Sequence, residues 1–346
     1  VVVAMSGGVD SSAAAALLAE AGYEIIGIML QLWAEDENRC CSPRAVEDAW
    51  RVASTLGIPF HLVNYESEFK TWVVDYFLAE YSRGRTPNPC LACNRYIRFG
   101  LLLDHARSLG AGFLATGHYA RLERRNGPIA LRMGVDPRKD QSYALYMLGQ
   151  EELRHVMFPV GAYTKTEIRE VARLHRLPVA GKDESMELCF VTDDDYRRFL
   201  REHAPGNVRP GPILDIAGKE IGQHQGLPFY TVGQRRGLGI AAPEALYVIR
   251  LDIPDNALIV GPARELGRTS LIASDASYVL GKPPALPVRV KAKIRYKACL
   301  ADATWTALEG GRVRVDFDDP LRDITPGQAV VAYQDDVVLG GAIICE

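Results

Sequence analysis

Val1-Val2-Val3-Ala4-Met5-Ser6-Gly7-Gly8-Val9-Asp10-Ser11-Ser12 opens the chain, and an Ala/Leu-rich run to Ala21, stopped by Gly22, follows directly. Five apolar residues suit a buried strand, Ser6-Gly7-Gly8 supplies a tight turn, and Ser11 to Ala21 has the composition of a helix. Strand, glycine turn and helix in that order make an anion cradle. The glycines allow close backbone approach, amides and hydroxyls can face an anion, and the positive end of the helix points at the same place. The stretch lacks the Lys-Ser/Thr ending of the usual nucleoside-triphosphate loop, and it lacks the GxGxxG of dinucleotide-binding turns. A Ser/Gly turn with a helix cap would use the same residues without any ligand.

Outward from this stretch the pattern repeats. Ile25 to Leu32 reads as a second strand, Arg44 to Leu56 as a helix, and Phe60 to Val63 as a third strand after the break at Gly57-Ile58-Pro59. Helices near Phe69–Tyr81 and Asn94–Leu109 precede a fourth strand, Phe113–Thr116. Short apolar strands alternating with longer helices predict an α/β fold with a mostly parallel sheet covered on both faces, whose ligands bind beyond the carboxyl ends of the strands. After residue 200 glycine and proline become frequent. From Leu286 onward, short alternating segments separated by Gly310-Gly311, Asp318-Asp319-Pro320 and Asp335-Asp336 predict a small β-barrel. We therefore expect an α/β domain over 1–200, a central linking domain over 201–267, and a C-terminal barrel over 268–346.

Composition narrows the partners. The 346 residues carry 40 Lys+Arg against 43 Asp+Glu, a formal net charge of -3, so any anionic partner must be held by local patches. A hydrophobic fraction of 48% and a charged fraction of 24% exclude disordered and collagen-like chains. No run reaches the roughly 18 apolar residues of a membrane span, and Val1–Met5 lacks a basic leader, so no membrane partner and a cytoplasmic location are expected. Seven cysteines are too few and too scattered for a disulfide framework. Cys90 and Cys93 lie together in Arg85-Thr86-Pro87-Asn88-Pro89-Cys90-Leu91-Ala92-Cys93-Asn94, where a helix start would favour their thiolates. Cys189 sits between Leu188 and Phe190, where a buried structural thiol is equally reasonable. Cys40, Cys41, Cys299 and Cys345 are expected to be structural.

The opening stretch resembles the pyrophosphate-binding signature of the ATP pyrophosphatases. The chain as a whole is similar to the bacterial tRNA-specific 2-thiouridylase family, through that stretch, the cysteine segments, Gly117-His118-Tyr119-Ala120, Lys139-Asp140-Gln141-Ser142-Tyr143 and Tyr230-Thr231-Val232-Gly233-Gln234-Arg235-Arg236-Gly237-Leu238-Gly239. The resemblance implies an adenine-nucleotide alpha-hydrolase-like sheet and an ATP and Mg2+ site at Ser6, Gly7, Gly8, Asp10, Ser11 and Ser12. Met29 and Gly117 complete the expected nucleotide set. It implies ATP-dependent 2-thiolation of the wobble uridine in tRNAs of the Lys, Glu and Gln type, through an adenylated base that releases AMP and pyrophosphate.

The family's better-known form would make Cys93 and Cys189 a persulfide relay, and it has Asp where this chain has Cys90. A subgroup resembles the three-thiol arrangement instead. There Cys90, Cys93 and Cys189 would hold a 4Fe–4S cluster that binds sulfide, the mechanism favoured here, although thiol spacing alone also fits zinc. The sulfur donor would be sulfide or a persulfide-carrying protein, and a monomer is expected.

Asn88, Asn94 and Arg95 are candidate RNA contacts, alternatively a turn cap, a helix start and a solvated cation. His118 would contact nucleotide or RNA, or be a packed imidazole. Lys139, Asp140, Gln141 and Ser142 are assigned to RNA positioning, with Asp140 orienting Lys139. Gln234, Arg235 and Arg236 form one RNA patch. Arg289, Lys291, Lys293, Arg295 and Lys297 form another, a basic ladder on one strand face, unless they guard a solvated edge strand. An ATP-dependent enzyme adenylating a small amide or acid is the main alternative, and a non-catalytic iron–sulfur RNA-binding protein is a third.

Overall fold

Val2 and Val3, both fully buried, form the centre of the strand β1 (Val2–Ala4) on which the first unit is built. The computed structural model describes residues 1–35, 42–124, 127–182, 188–191, 193 and 195–345. Parallel to β1 run β2 (Ile26–Gln31), β3 (Phe60–Asn64) and β4 (Leu114–Ala115). After a hairpin of β5 (Ala120–Glu123) and β6 (Ala130–Met133), β7 (Val156–Met157) completes the sheet in the order β3-β2-β1-β4-β7. The chain leaves β1 toward β2 and returns to β4 on the opposite side. The loops after β1 and β4 therefore part at a topological switch point, where such sheets open a binding crevice.

The helix α1 (Val9–Glu20) starts two residues before the expected Ser11, directly after Gly8. Its alanines explain its position. Ala15 and Ala16 pack toward the sheet with Val3 and Met5, while Ala13 and Ala14 pack with Ile168 of the helix Lys165–Leu174. Small side chains on both faces let α1 lie between two layers without voids. The helix α2 (Pro43–Leu56) begins with a Ser42 cap that accepts from the Ala45 amide, has Pro43 in its first turn, and stops at Gly57 in the left-handed region.

The central part holds β8 (Gly211–Leu214), β9 (Glu220–His224), β10 (Leu246–Asp252) and β11 (Ala257–Pro262) in the order β10-β11-β8-β9. The last six strands are β12 (Arg268–Tyr278), β13 (Val288–Lys293), β14 (Ala301–Ala307), β15 (Val313–Leu321), β16 (Ala329–Gln334) and β17 (Val337–Ile344). They close into an antiparallel barrel through the β12–β17 pairing, which confirms the expected α/β unit followed by a barrel. Trp305, Leu271, Val290 and Val315 fill its centre.

The β5–β6 hairpin belongs to the barrel's sheet. Arg132 pairs in register with Val337 of β17, and Arg121 and Arg132 both bind the Asp336 carboxylate, Arg121 at 2.6 Å. The first unit and the barrel thus share hydrogen-bonded backbone.

The basic ladder is corrected by this geometry. β13 ends at Lys293, so Arg295 and Lys297 lie in the turn that follows, and Lys293 is only 9% exposed. Arg289 binds Asp318 through two nitrogens, Lys291 binds Asp302 at 3.0 Å, and Arg295 reaches Asp323 at 3.3 Å. These carboxylates come from other strands and a loop, out of sight in the local sequence, and they offset the charge of the ladder. β13 is also no edge strand, since β14 and β16 flank it.

Trp305 is 1% exposed, and its indole N–H has no acceptor among the described residues. We expect Trp305→Ala to cost about 3–5 kcal/mol in denaturant unfolding. Trp305→Phe should cost distinctly less, because it removes an unpaired donor along with the lost volume.

Candidate functional site

The turn after β1 is held by its own hydroxyls. Ser11 and Ser12 donate to the Gly8 carbonyl at 3.2 and 2.8 Å, and Ser11 Oγ accepts from the Ser6 amide at 3.1 Å. Both serines are buried, while Ser6 is exposed. Gly7 has φ +65°, and a Cβ there would stand 2.4 Å from the Ala45 carbonyl oxygen, so glycine is required twice over. Gly8 caps α1 without a side-chain contact, leaving the helix start to backbone amides.

Asp10 does not cap the helix. It lies in the first turn, where its Oδ1 accepts from Tyr119 Oη at 2.7 Å and from Lys165 Nζ at 2.6 Å. Lys182 reaches the same loop from the far side, donating to the Gly7 carbonyl at 2.9 Å and to Asp48 at 2.6 Å. Sequence reading missed both lysines, which stand about 155 and 175 residues from their partners in the loop. Met29 is packed in the core below, 1% exposed.

The second lip of the crevice is Thr116-Gly117-His118. Gly117 presses so closely on α1 that a Cβ would lie 2.7 Å from the Ser11 amide nitrogen. His118 is the packed imidazole: Nδ1 shares a 2.7 Å hydrogen bond with Thr116 Oγ1, Nε2 faces Arg98 at 3.5 Å, and Phe99 and Phe158 flank the ring. Burial first, and then the Arg98 charge, push its pKa down to about 3, so the ring is neutral.

Arg98 in turn donates to Asn94 Oδ1 at 3.1 Å, and Asn94 donates to the Ala144 carbonyl at 2.7 Å. Asn94 is therefore a buried connector, which removes it as an accessible base contact. Arg95 bridges to Ser277 of the barrel at 2.7 Å.

Asn88 takes its capping role, accepting from the Cys90 amide at 3.1 Å at the start of the helical turn Pro89–Ala92. Cys90 is exposed on this turn. Cys93 follows it at the head of a π-helical stretch, Cys93–Leu101, and is buried. Cys189 arrives from the other segment, half-buried, and packs with Cys93 in one apolar cluster that includes Phe69, Val73, Phe77 and Phe190.

Cys93 and Cys189 in one aromatic-lined cluster, with Cys90 one helical turn before Cys93, are the donor type an iron–sulfur cluster takes, thiolates beside an apolar shell. A single zinc ion is a poorer match. Tetrahedral thiolates about 2.3 Å from zinc would bring their sulfurs within about 3.8 Å of one another. The one set among the described residues whose three donor atoms lie within 4.8 Å is Glu35, Glu202 and His203. The Arg198 guanidinium binds Glu35, Asp193 and Glu202 there, standing where a cation would. Cys299 is exposed, Cys345 shares a contact with Ser274 in the barrel, and Cys40 and Cys41 lie outside the described residues.

Asp140 does not orient Lys139 as expected. Its oxygens accept from the amides of Gly134 and Ser142 and from Ser142 Oγ, at 2.9, 3.1 and 3.0 Å, so it shapes the turn instead. Gln141 Oε1 accepts from the Tyr119 amide at 3.1 Å. Gln234 likewise staples its own loop, from Thr231 to Arg236. Arg235 and Arg236 are exposed, with no carboxylate paired to them among the described residues. A 3.0 Å bond between Thr231 and Thr86 lays their loop beside the segment leading to Cys90. Trp72 and Tyr96, also missed in the sequence, form an exposed stacked pair at 4.7 Å on the helices that cover Cys93.

Three family models match in succession: a tRNA methyl transferase HUP domain over residues 1–193, a tRNA methyl transferase PRC-barrel domain over 197–262, and an aminomethyltransferase beta-barrel domain over 268–344. The tRNA-specific 2-thiouridylase MnmA of Moorella thermoacetica is 54% identical over 99% of this chain and 98% of its own length. That of Pelotomaculum thermopropionicum is 53% identical over 99% and 96%. Likeness to solved structures is remote: the U34-tRNA thiolase NcsA of Methanococcus maripaludis is 19% identical with a TM-score of 0.36, over 59% of this chain and 66% of that one.

The neutral His118 gives a pH test. Its folded pKa lies below the ordinary 6.5, so as pH falls below about 6.5 the unfolded chain takes up a proton that the folded chain refuses. This contribution to stability is complete above pH 6.5 and is lost toward pH 3, at up to about 1.4 kcal/mol per pH unit. The ring resonances of His118 should not titrate between about pH 5 and 8; a midpoint near 6.5 would contradict the packing.

Proposed function

The chain belongs to the tRNA-specific 2-thiouridylase family and is a tRNA sulfurtransferase, and we propose that it replaces the 2-oxygen of the wobble uridine with sulfur through an ATP-adenylated base. One observation carries the reading. Thr116-Gly117-His118 touches the phosphate-type loop through Gly117 and, through His118, Arg98 and Asn94, the helix that begins at Cys93. An activating centre and a sulfur centre are thus joined across the switch point. Methyl transfer, named in the description of the first two family models, needs neither a pyrophosphate cradle nor two thiols from distant segments in one apolar cluster. The same thiols argue against adenylation of a small amide or acid.

The uridine oxygen is a poor leaving group until it is phosphorylated. In the proposed reaction O2 bonds to the alpha phosphorus, the bond from that phosphorus to the pyrophosphate oxygen breaks, and the N3 proton is lost. Hydrosulfide then attacks C2, its proton returns to N3, and AMP departs with the C2–O electron pair. The sequence is redox-neutral.

The amides at the start of α1 would stabilise the pyrophosphate as it leaves. Asp10, the carboxylate of this loop, is the oxygen donor suited to Mg2+, which would draw charge from the polyphosphate. Cys90, Cys93 and Cys189 would hold a 4Fe–4S cluster, which when bound supplies a sulfide-binding iron free of a protein ligand. The persulfide relay between Cys189 and Cys93 is the second reading, favoured by their shared apolar cluster. It would leave a disulfide between them and so require a reductant, with Cys90 a bystander.

The target base must leave the anticodon stack to reach either centre. Arg235 and Arg236 offer phosphate contacts on the loop that Thr231 ties to Thr86, and the exposed Trp72–Tyr96 pair offers an aromatic face.

We expect Cys90→Ala, purified without oxygen, to lose both bound iron and sulfide-dependent 2-thiouridine formation. Full activity in that variant would remove the cluster and leave the relay. Replacing Arg235 and Arg236 by Ala should weaken tRNA binding and reduce the slope of log K against log salt by about 2, without changing ATP affinity. An unchanged slope would place this loop away from RNA.

A further inference from the structure

The Ser6–Ser12 loop contains no cation, yet its expected ligand carries up to four negative charges on neighbouring phosphates. Two lysines from distant parts of the chain end at this loop, on either side of Gly8. Lys165 opens the helix Lys165–Leu174, and its side chain is 12% exposed with Nζ 2.6 Å from Asp10 Oδ1. Tyr119 supports that position, with its hydroxyl on the same carboxylate oxygen and its ring 5.9 Å from the ammonium. Lys182 holds Nζ 2.9 Å from the Gly7 carbonyl and 2.6 Å from Asp48, which lies on α2. Each ammonium is therefore set within the first turn of α1 or the loop before it, where an anion would also meet the helix amides.

We propose that Lys165 and Lys182 supply the phosphate-directed charge that the loop's own sequence lacks, binding non-bridging oxygens of the beta and gamma phosphates of ATP and then of the departing pyrophosphate. Asp10 and Asp48 hold the ammonium groups in place when no polyphosphate is bound. In the usual triphosphate loop a single lysine stands within the motif; here the fold brings two to the same place from the strand–helix connection after β7 and from the segment before Cys189. An ammonium is a mobile point charge with three donors, so it can move from a carboxylate to a phosphate without rebuilding the backbone. The assignment rests on the ATP-dependent reading above and deepens it.

The test is equilibrium binding of ATP, AMP and inorganic pyrophosphate to the full-length protein. Lys165→Ala and Lys182→Ala should each weaken ATP and pyrophosphate by about tenfold or more, the loss of one charge-assisted contact, while AMP changes by less than about twofold. Removing a lysine also uncovers a carboxylate that repels phosphate. Lys182→Ala combined with Asp48→Asn separates the two causes, and because Asp10 is also the proposed Mg2+ donor, Lys165→Ala combined with Asp10→Asn is measured against Asp10→Asn alone with pyrophosphate in metal-free buffer.

Persistent loss in the double variants supports direct contact with phosphate, whereas recovery of affinity overturns it. Equal weakening of ATP and AMP, with a lowered Tm, also overturns it by showing a structural role alone. Wild-type protein that binds neither ATP nor pyrophosphate defeats the ATP reading itself. Wild-type binding with unaffected single variants defeats only the lysine assignment.

Discussion

The approach of Gly117 to the first turn of α1 is the constraint on which the cleft depends. No side chain fits there, since a Cβ would come within 2.7 Å of the Ser11 nitrogen. With glycine in place, the end of β4 and the start of α1 lie in backbone contact at the switch point of the sheet. Tyr119, two residues on, is then set to reach Asp10, and His118 is turned inward toward Arg98. A larger residue at 117 would separate the two lips, and the glycine loop and the cysteine helix would lose their common support.

The rigidity of this centre comes from buried polar groups that satisfy one another. Thr116, His118, Arg98, Asn94 and the Ala144 carbonyl form one chain beneath the cleft, with the imidazole kept neutral by burial. Such a network is costly to leave half-made, so it specifies one arrangement of the helix bearing Cys93. The barrel is fastened to the same unit by the β5–β6 hairpin and the arginines on Asp336, while Arg95 reaches Ser277 on β12. Together these fasten the α/β unit to the barrel around the cysteine segment.

How much was legible in the sequence follows from how local each signal is. The parallel sheet, the glycine loop and the barrel could be read because strands, turns and apolar periodicity are written in neighbouring residues. The three cysteines stood out by type and by their motif context. Lys165 and Lys182 did not, because nothing near them in sequence marks a residue whose partner lies over a hundred positions away. The partners of the basic strand were hidden for the same reason: Asp302, Asp318 and Asp323 reach it from other segments. Asn94 and Asp140 looked like polar contacts and proved to be internal braces, a distinction that depends on burial.

In the proposed reaction ATP is spent on activating the base. Oxygen-free protein, unmodified tRNA of the Lys, Glu or Gln type, ATP and sulfide should yield AMP, pyrophosphate and 2-thiouridine in equal amounts, with AMP formation dependent on tRNA. Release of ADP and phosphate, or AMP formation indifferent to tRNA, would contradict the account.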